Sequence, residues 1–529
     1  MGLTPGPIIG AHLDLKGCAW RAEYLPQFLA DLAAFKINTL LVEYEDVFPF
    51  AGIDVAYDPE TVWSPALLAG FRREAAAHCI EIIPLQQCVG HLQYVFRWPR
   101  YAALAVDTVQ PCTLDLLKPE GKALVREMLR QVIAAHPESR YVHLGMDEAH
   151  GLARTARQLG VSVIKLFSDY LEELVPLVAG AGKTPIIWSD MLEDHFDLPV
   201  IERIRGRVVL CLWDYATVGD TTAAGRMEGW RISREWANEP RHPDAPPVRA
   251  GSRFFEDLSP AAQEAMRPYR RGRGVKSFFG VEFFAKLGFR VLGASHVRRS
   301  SHGAVLPPFL AVQDNITSWA KAMRESGQLG LIATSWARGT TFCPPNFPVE
   351  LTWPNIEALA RAMGAAPPPC FEGVPQVTAN RLLGQLSRSR DDWSLERSAA
   401  AEMEALAPQV KRMRYEWDCL VWMARVLGLH RDVEAALREV EYFLASESLV
   451  PQEWTRRMED HARLRDELAA LRRNVAEHFS RRYHGRNFEE WLRFLFDVPS
   501  ERLAHATSVS RERRAASERF YAARPAGGG

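Results

Sequence analysis

Tyr141-Val142-His143-Leu144-Gly145-Met146-Asp147-Glu148 is a short β-prone run that ends in a glycine and two adjacent carboxylates. It reads as a strand whose C-terminal end carries chemistry, the end at which parallel α/β barrels place their active sites. Successive side chains of a continuing strand face opposite ways, so Asp147 and Glu148 share one pocket only if the strand breaks before them. Gly145 supplies the expected break, because glycine adopts backbone conformations that other residues avoid.

The flanking sequence repeats a β-α rhythm. Upstream, strands are expected at Ile8 to Leu15, Thr39 to Glu43 and Glu81 to Leu85, and helices at Leu25 to Phe35, Pro65 to His78 and Pro119 to Ala135. Ser64 before Pro65 is a helix N-cap signal. Downstream, Pro185 to Trp188, Val208 to Trp213, Arg290 to Ala294 and Gly330 to Thr334 complete eight strands. The intervening helices fall at Ser162 to Val178, Asp314 to Glu325 and Asn355 to Met363. Eight β-α units over residues 1–365 predict an α/β fold, a TIM (β/α)8 barrel, with an insertion at about 216–273 where periodicity lapses and Pro, Arg and Gly accumulate. Residues 366–377 read as a Pro-rich linker. Residues 378–529 then read as a C-terminal α-helical domain, with Trp454, Met458, His461, Leu464, Leu468, Leu471, Val475 and Phe479 on one helical face. From Ser508 the chain is charged and then Gly-rich, and is expected to fray.

Composition narrows the function classes. Lys and Arg number 64 against 65 Asp and Glu in 529 residues, so no global field recommends nucleic acid or an acidic membrane as partner. No run of about 18 apolar residues occurs, and Met1 to Pro7 lacks a basic stretch leading into an apolar one. The eight cysteines are scattered, with no C-x-x-C, which predicts thiols in a reducing, cytoplasmic setting.

The polar residues that matter gather at the predicted strand ends. They are His12 and Asp14, then Glu43, Glu45 and Asp46, His91, Asp147 and Glu148, Trp188 and Asp190, Trp213, Asp214 and Tyr215, and Trp336. Tryptophans beside carboxylates fit a sugar, whose C–H faces pack on aromatic rings while its hydroxyls seek charged partners. A glycosidase that uses two carboxylates usually sets them on opposite sides of the scissile bond, which adjacent residues do not readily do. A 2-acetamido group resolves the difficulty by supplying its own carbonyl oxygen as nucleophile. Asp147 would hold the amide N–H and Glu148 would protonate the leaving oxygen, with Asp147 expected to keep Glu148 protonated near neutral pH.

Seven stretches carry a family resemblance. They are Gly10-Ala11-His12-Leu13-Asp14-Leu15-Lys16-Gly17, Glu43-Tyr44-Glu45-Asp46-Val47-Phe48-Pro49-Phe50, Pro84-Leu85-Gln86-Gln87-Cys88-Val89-Gly90-His91, His143-Leu144-Gly145-Met146-Asp147-Glu148, Trp188-Ser189-Asp190-Met191-Leu192, Leu212-Trp213-Asp214-Tyr215 and Thr334-Ser335-Trp336. In these the sequence resembles glycoside hydrolase family 20, the β-N-acetylhexosaminidases, and within it the hexosaminidase D branch. The resemblance implies Glu148 as acid and base, Asp147 as orienter of the acetamido group and Tyr215 as donor to the acetamido oxygen. It implies Trp188, Trp213 and Trp336 as pocket walls, with His91 and Glu45 beside the sugar. Asp14, His143, Asp214 and Arg338 join the expected substrate-binding set. The sequence departs from the family where Lys16 and Gly17 replace an Arg after the first strand, and where Arg338 stands for a Glu after the last.

The expected activity is exo-acting and retaining, proceeding through an oxazolinium intermediate and releasing terminal β-linked GlcNAc or GalNAc. No cofactor or metal is expected, and the partner is a small molecule or glycan bearing a terminal N-acetylhexosamine. A homodimer is left open. Two other readings are a metal-dependent barrel hydrolase or lyase, with Glu43, Glu45, Asp147 and His91 drawn as ligands, and a non-catalytic sugar-binding barrel.

Overall fold

A computed structural model describes residues 6–219, 226–232, 252–299, 305–387, 393–445 and 451–522. Eight parallel strands close into a barrel in chain order: β1 (Ile8–Asp14), β2 (Thr39–Glu43), β3 (Glu81–Leu85), β4 (Tyr141–His143), β5 (Thr184–Trp188), β6 (Val209–Trp213), β7 (Arg290–Arg298) and β8 (Gly330–Ser335). β8 pairs back onto β1 from Ile8 opposite Gly330 to Ala11 opposite Ala333. All eight expected strands are present, and helices such as Leu25–Ala34, Pro65–Ala77, Pro119–Ala135 and Val163–Gly180 connect them. Ser64 caps its helix as the sequence predicts, its hydroxyl accepting from the Leu67 amide.

Strand alternation sorts the side chains into two cores. Ile8, Leu41, Ile83, Leu85, Tyr141, Ile186, Trp188, Val209, Cys211, Leu292, Ala294 and Ile332 fill the barrel interior. Ile9, Ala11, Leu13, Leu40, Val42 and Leu331, one position out of phase, pack under the helices. The period of two therefore turns His12, Asp14, Glu43, His143, Trp188, Trp213 and Trp336 inward at the C-terminal ends of their strands. That layer is the floor of the candidate site.

The expected insertion holds two short sheets and the helix Pro260–Met266, and residues 220–225 and 233–251 of it lie outside the described residues. The Pro-rich stretch is packed. Cys370, Phe371 and Val374 are buried, and Phe371 meets Trp417 edge-on at 4.9 Å between ring centroids. The C-terminal region is helical as expected, including Arg414–Ala445 and Pro451–Phe479. Its last helix, Val498–Ala522, runs through Ser508, where the sequence reads as fraying. Arg514 explains the difference, since it pairs with Glu518 one turn on and lies 4.4 Å over the Trp454 ring. Residues 523–529 lie outside the described residues.

The helical region shares the barrel's outer core. Tyr483–His484 pairs with Ala19–Trp20 of the segment after β1, and Asn487 donates to the Gly17 carbonyl at 2.9 Å.

Candidate active site

β4 ends at His143, and the backbone beyond it is irregular. Gly145, Met146 and Glu148 take φ values of 66°, 75° and 46°, a left-handed cluster of the kind that persists only where surroundings over-determine it. The surroundings are specific. A Cβ on Gly145 would sit 1.9 Å from the Gln87 amide oxygen, and one on Gly90 would sit 2.2 Å from the Asp147 carbonyl. Close approach therefore requires both glycines, and at Gly145 the left-handed backbone requires one as well. The break turns both carboxylates to one group, since His91 Nε2 lies 3.3 Å from Asp147 Oδ2 and 3.5 Å from Glu148 Oε2.

This arrangement reverses one expectation. Burial would lower the pKa of His91, but Asp147 and Glu148 overcome it and hold the imidazole well above its usual value. The His91 hydrogen bond in turn holds Glu148 below the usual carboxylate range, against the opposing effect of burial. Adjacency to Asp147 was expected to raise Glu148, yet the nearer charge belongs to His91. Asp147 acts instead on Asp190, whose pKa is raised first by burial and then by that negative neighbour. Asp190 Oδ2 accepts from the Glu148 amide at 2.8 Å, which pins the carboxylate-bearing turn to β5.

The aromatic residues line one side. Trp188 is buried at the floor, 4.5 Å from the His143 ring and 6.1 Å from Trp336, centroid to centroid. Trp336 and Trp213 are half-buried above it, and Tyr215 stacks on Trp213 at 5.3 Å. Trp336 Nε1 donates to the Tyr215 hydroxyl at 3.0 Å, which leaves the Tyr215 proton available to another acceptor. Arg226, from the insertion, lies 5.4 Å over the Trp213 ring and is tied to Asp194.

Opposite stands a charge cluster. Lys16 Nζ is 3.0 Å from Asp14 Oδ2, 3.0 Å from Glu43 Oε2 and 3.6 Å from Glu45 Oε1, all of them buried. Burial opposes the ammonium, but Asp14, Glu43 and Glu45 keep it firmly charged. For Glu43, burial is likewise outweighed by Lys16 and by His12 and Gln87 hydrogen bonding, and its pKa is lowered. Glu45 is raised well above the usual range by burial, with Glu43 and Asp14 adding to it against Lys16, and its Oε2 has no hydrogen-bond partner. The Lys16 ammonium occupies the place a cation would need between Glu43 and Glu45. No group of three or more His, Cys, Asp or Glu suited to a metal occurs among the described residues.

Asp147, Glu148, His91, Trp188, Trp213, Tyr215, Trp336, Asp14 and Glu45 thus gather at the barrel mouth. Three other expected binding residues have different surroundings. His143 is fully buried below the pocket, accepts from the Gly145 amide at 3.0 Å and is pushed by burial down to about 3. The Asp214 carboxylate accepts from the Ala216 and Thr217 amides at 2.8 and 2.9 Å, capping its own turn. Arg338 is buried and donates to the Thr341 carbonyl at 3.0 Å. Sequence reasoning gave no role to Arg226, which sits in an aperiodic stretch, nor to Gln87, although it lies in the stretch after β3 that carries the family resemblance.

No protein-family model matches the chain. Over 223 residues it is 32% identical to hexosaminidase D of Homo sapiens, and over 213 residues 33% identical to hexosaminidase D of Bos taurus. Over those stretches the sequence is similar to hexosaminidase D. These matches cover 40% and 39% of this chain, and 46% and 62% of the relatives, so the chain spans about half the length of the curated relatives it matches. Among solved structures, a β-N-acetylhexosaminidase aligns with TM-score 0.46 and 15% identity, over 73% of this chain and 78% of that one. The family 20 β-N-acetylhexosaminidase of Streptomyces coelicolor aligns with TM-score 0.45 and 16% identity, over 72% and 68%.

Proposed function

We propose that the protein is an exo-acting, retaining β-N-acetylhexosaminidase that uses the substrate's acetamido oxygen as nucleophile. The observation that carries this reading is the broken end of β4, which turns Asp147 and Glu148 to the same imidazole. Two carboxylates so joined do not bracket a sugar ring in the manner of an acid and a nucleophile. Likeness to hexosaminidase D supports the same class.

In this reading Asp147 accepts the acetamido N–H and Tyr215 donates to the acetamido oxygen. That oxygen attacks the anomeric carbon, the glycosidic C–O bond breaks, and Glu148 gives its proton to the departing oxygen. Water then opens the oxazolinium ring with Glu148 as base, so the β configuration returns. In the free site the dyad's proton rests on His91, and the incoming glycosidic oxygen draws it across Glu148. Trp188, Trp213 and Trp336 cover the sugar face, while Lys16, Asp14 and Glu45 offer polar partners to its hydroxyls. Eight free cysteines fit a reducing, cytoplasmic location.

A panel of aryl β-glycosides of GlcNAc, GalNAc, glucose and galactose tests the mechanism. Turnover is expected only with the two acetamido sugars, and a thiazoline analogue of the cyclised intermediate should inhibit strongly. Equal turnover of glucosides and N-acetylglucosaminides would overturn it.

A further inference from the structure

Beside the sugar pocket, two residues past Trp336 and one past Glu45, the loops after β2, β3 and β8 meet in a cluster that the proposed chemistry does not use. Arg97 lies with its guanidinium carbon 4.0 Å over the Tyr57 ring and 6.0 Å from the Phe342 ring. The two rings fix the guanidinium while its Nη1 is buried without a hydrogen-bond partner. Arg338 is only 2% exposed, and its Nε and Nη2 are also buried without partners. Thr341, whose carbonyl accepts from Arg338, adds a third unpartnered side chain through its hydroxyl.

Buried donors of this kind are costly when left unmade, and a native chain retains them where something else satisfies them. The nearby carboxylates do not. Glu490 takes the Tyr57 hydroxyl on one oxygen, and its other oxygen is 3.9 Å from Arg338 Nη2, beyond hydrogen-bond reach. Asp46 accepts from the Tyr57 amide at 3.0 Å, and burial holds it above the usual carboxylate range although Arg338 and Arg97 pull it down. Phe342 is 58% exposed and presents an apolar face at the rim.

We propose that Arg97, Arg338 and Thr341 form a receptor for an oxyanion, a carboxylate, sulfate or phosphate, carried by the substrate on its N-acetylhexosamine or on the residue next to it. Guanidinium groups suit such planar or tetrahedral anions, which accept several N–H donors at once. Phe342 would cover the ring that bears the anion. This substrate class rests on the hexosaminidase reading. The anion has two sources, a 6-O-sulfate or 6-phosphate on the terminal sugar itself, or the carboxylate of a hexuronic acid as the next residue.

The test compares kcat/KM of the full-length protein on three pairs: aryl GlcNAc with and without a 6-O-sulfate, the same glycoside with and without a 6-phosphate, and GlcNAc linked β to glucuronic acid or to glucose. One pair should favour the charged member by at least tenfold and so name the source. Arg97→Gln should bring that ratio to within about twofold of unity, with the melting temperature of wild-type and variant compared as a check on folding. Ratios near or below one in all three pairs, with the neutral aryl GlcNAc still cleaved, would overturn the anion receptor and leave the hexosaminidase reading standing. Should no N-acetylhexosaminide be cleaved, calorimetric titration with glucuronate, glucose 6-sulfate and glucose 6-phosphate decides the matter independently. Binding that Arg97→Gln weakens at least tenfold supports the receptor, and absence of binding overturns it.

Discussion

Glu148 and His91 hold one proton between them, and the pH dependence of activity should report that pair. Glu148→Gln is expected to lower turnover by roughly 10² to 10⁴ on a poor leaving group, and by less on an activated aryl glycoside that departs with little help. Equal losses on both substrates would remove Glu148 from the role of acid. His91 sharpens the assignment. Its pKa is raised by Asp147 and Glu148 against burial, so the pair keeps its proton beyond the pH at which a free imidazole would lose it, and kcat/KM should fall as pH rises through that elevated value. His91→Asn leaves Glu148 without the imidazolium, and the alkaline limb should move to lower pH. An unmoved limb would assign it to another group. Tyr215 separates chemistry from binding in a different way. Its hydroxyl already accepts from Trp336, so the proton left over faces a second acceptor. Tyr215→Phe should reduce kcat more than it alters KM, whereas an unchanged kcat with a lowered melting temperature would make Tyr215 a packing residue.

Among elements, the end of β4 governs the rest of the site. Gly145→Ala must place a methyl group against the Gln87 amide in a left-handed conformation. The expected cost is about 1 to 3 kcal/mol of stability, together with a fall in kcat as the Asp147-Glu148 turn shifts. Circular dichroism melts and steady-state rates on the same preparation check both, and a variant with wild-type values would show that the turn tolerates the change. The barrel itself was legible because strand alternation, helix caps and unit spacing are local, and each strand fixes its own inward residues. Asp147 and Glu148 could be read for the same reason, since a glycine before two carboxylates at a strand end is a local pattern. What surrounds them could not. Besides Asp14, Lys16 pairs with Glu43 on the next strand, the neighbour of Glu148 is a histidine from the loop after β3, and Arg226 comes from an aperiodic insertion. These pairings depend on barrel closure, which brings together residues that no spacing along the chain connects. The error over Glu148 has this origin, because the sequence displays Asp147 beside it and conceals His91.

At the scale of the whole molecule, one partly buried arginine, Arg482, joins the helical region to the barrel. Arg482 Nη1 bonds the Tyr24 hydroxyl at 2.8 Å and pairs with Glu350 and Glu416, while its guanidinium carbon lies 3.9 Å over Tyr24 and 3.7 Å over Tyr415. Tyr24 and Glu350 belong to the barrel, and Tyr415 and Glu416 to the helical region. Glu350 is fully buried, and burial holds its pKa above the usual value although Arg482 pulls it down. Arg482→Met keeps much of the packing and removes the charge, so the buried carboxylates lose their cation, at an expected cost of about 3 to 5 kcal/mol. The sign of the pH dependence follows. An acid whose folded pKa exceeds its unfolded value binds protons more tightly when folded, so acid relieves its destabilising charge. Removing Arg482 raises Glu350 further, and the gap in melting temperature between wild-type and Arg482→Met should therefore narrow as pH falls from 8 to 5. A gap that stays constant over that range would mean the arginine contributes by packing on Tyr24 and Tyr415 alone. The loss should also reach the active site. Tyr483, next in sequence, pairs with Trp20, and Asn487 holds the Gly17 carbonyl beside Lys16. A loosened junction frees that loop and with it the ammonium facing Asp14 and Glu43, so KM should rise in the variant before kcat falls.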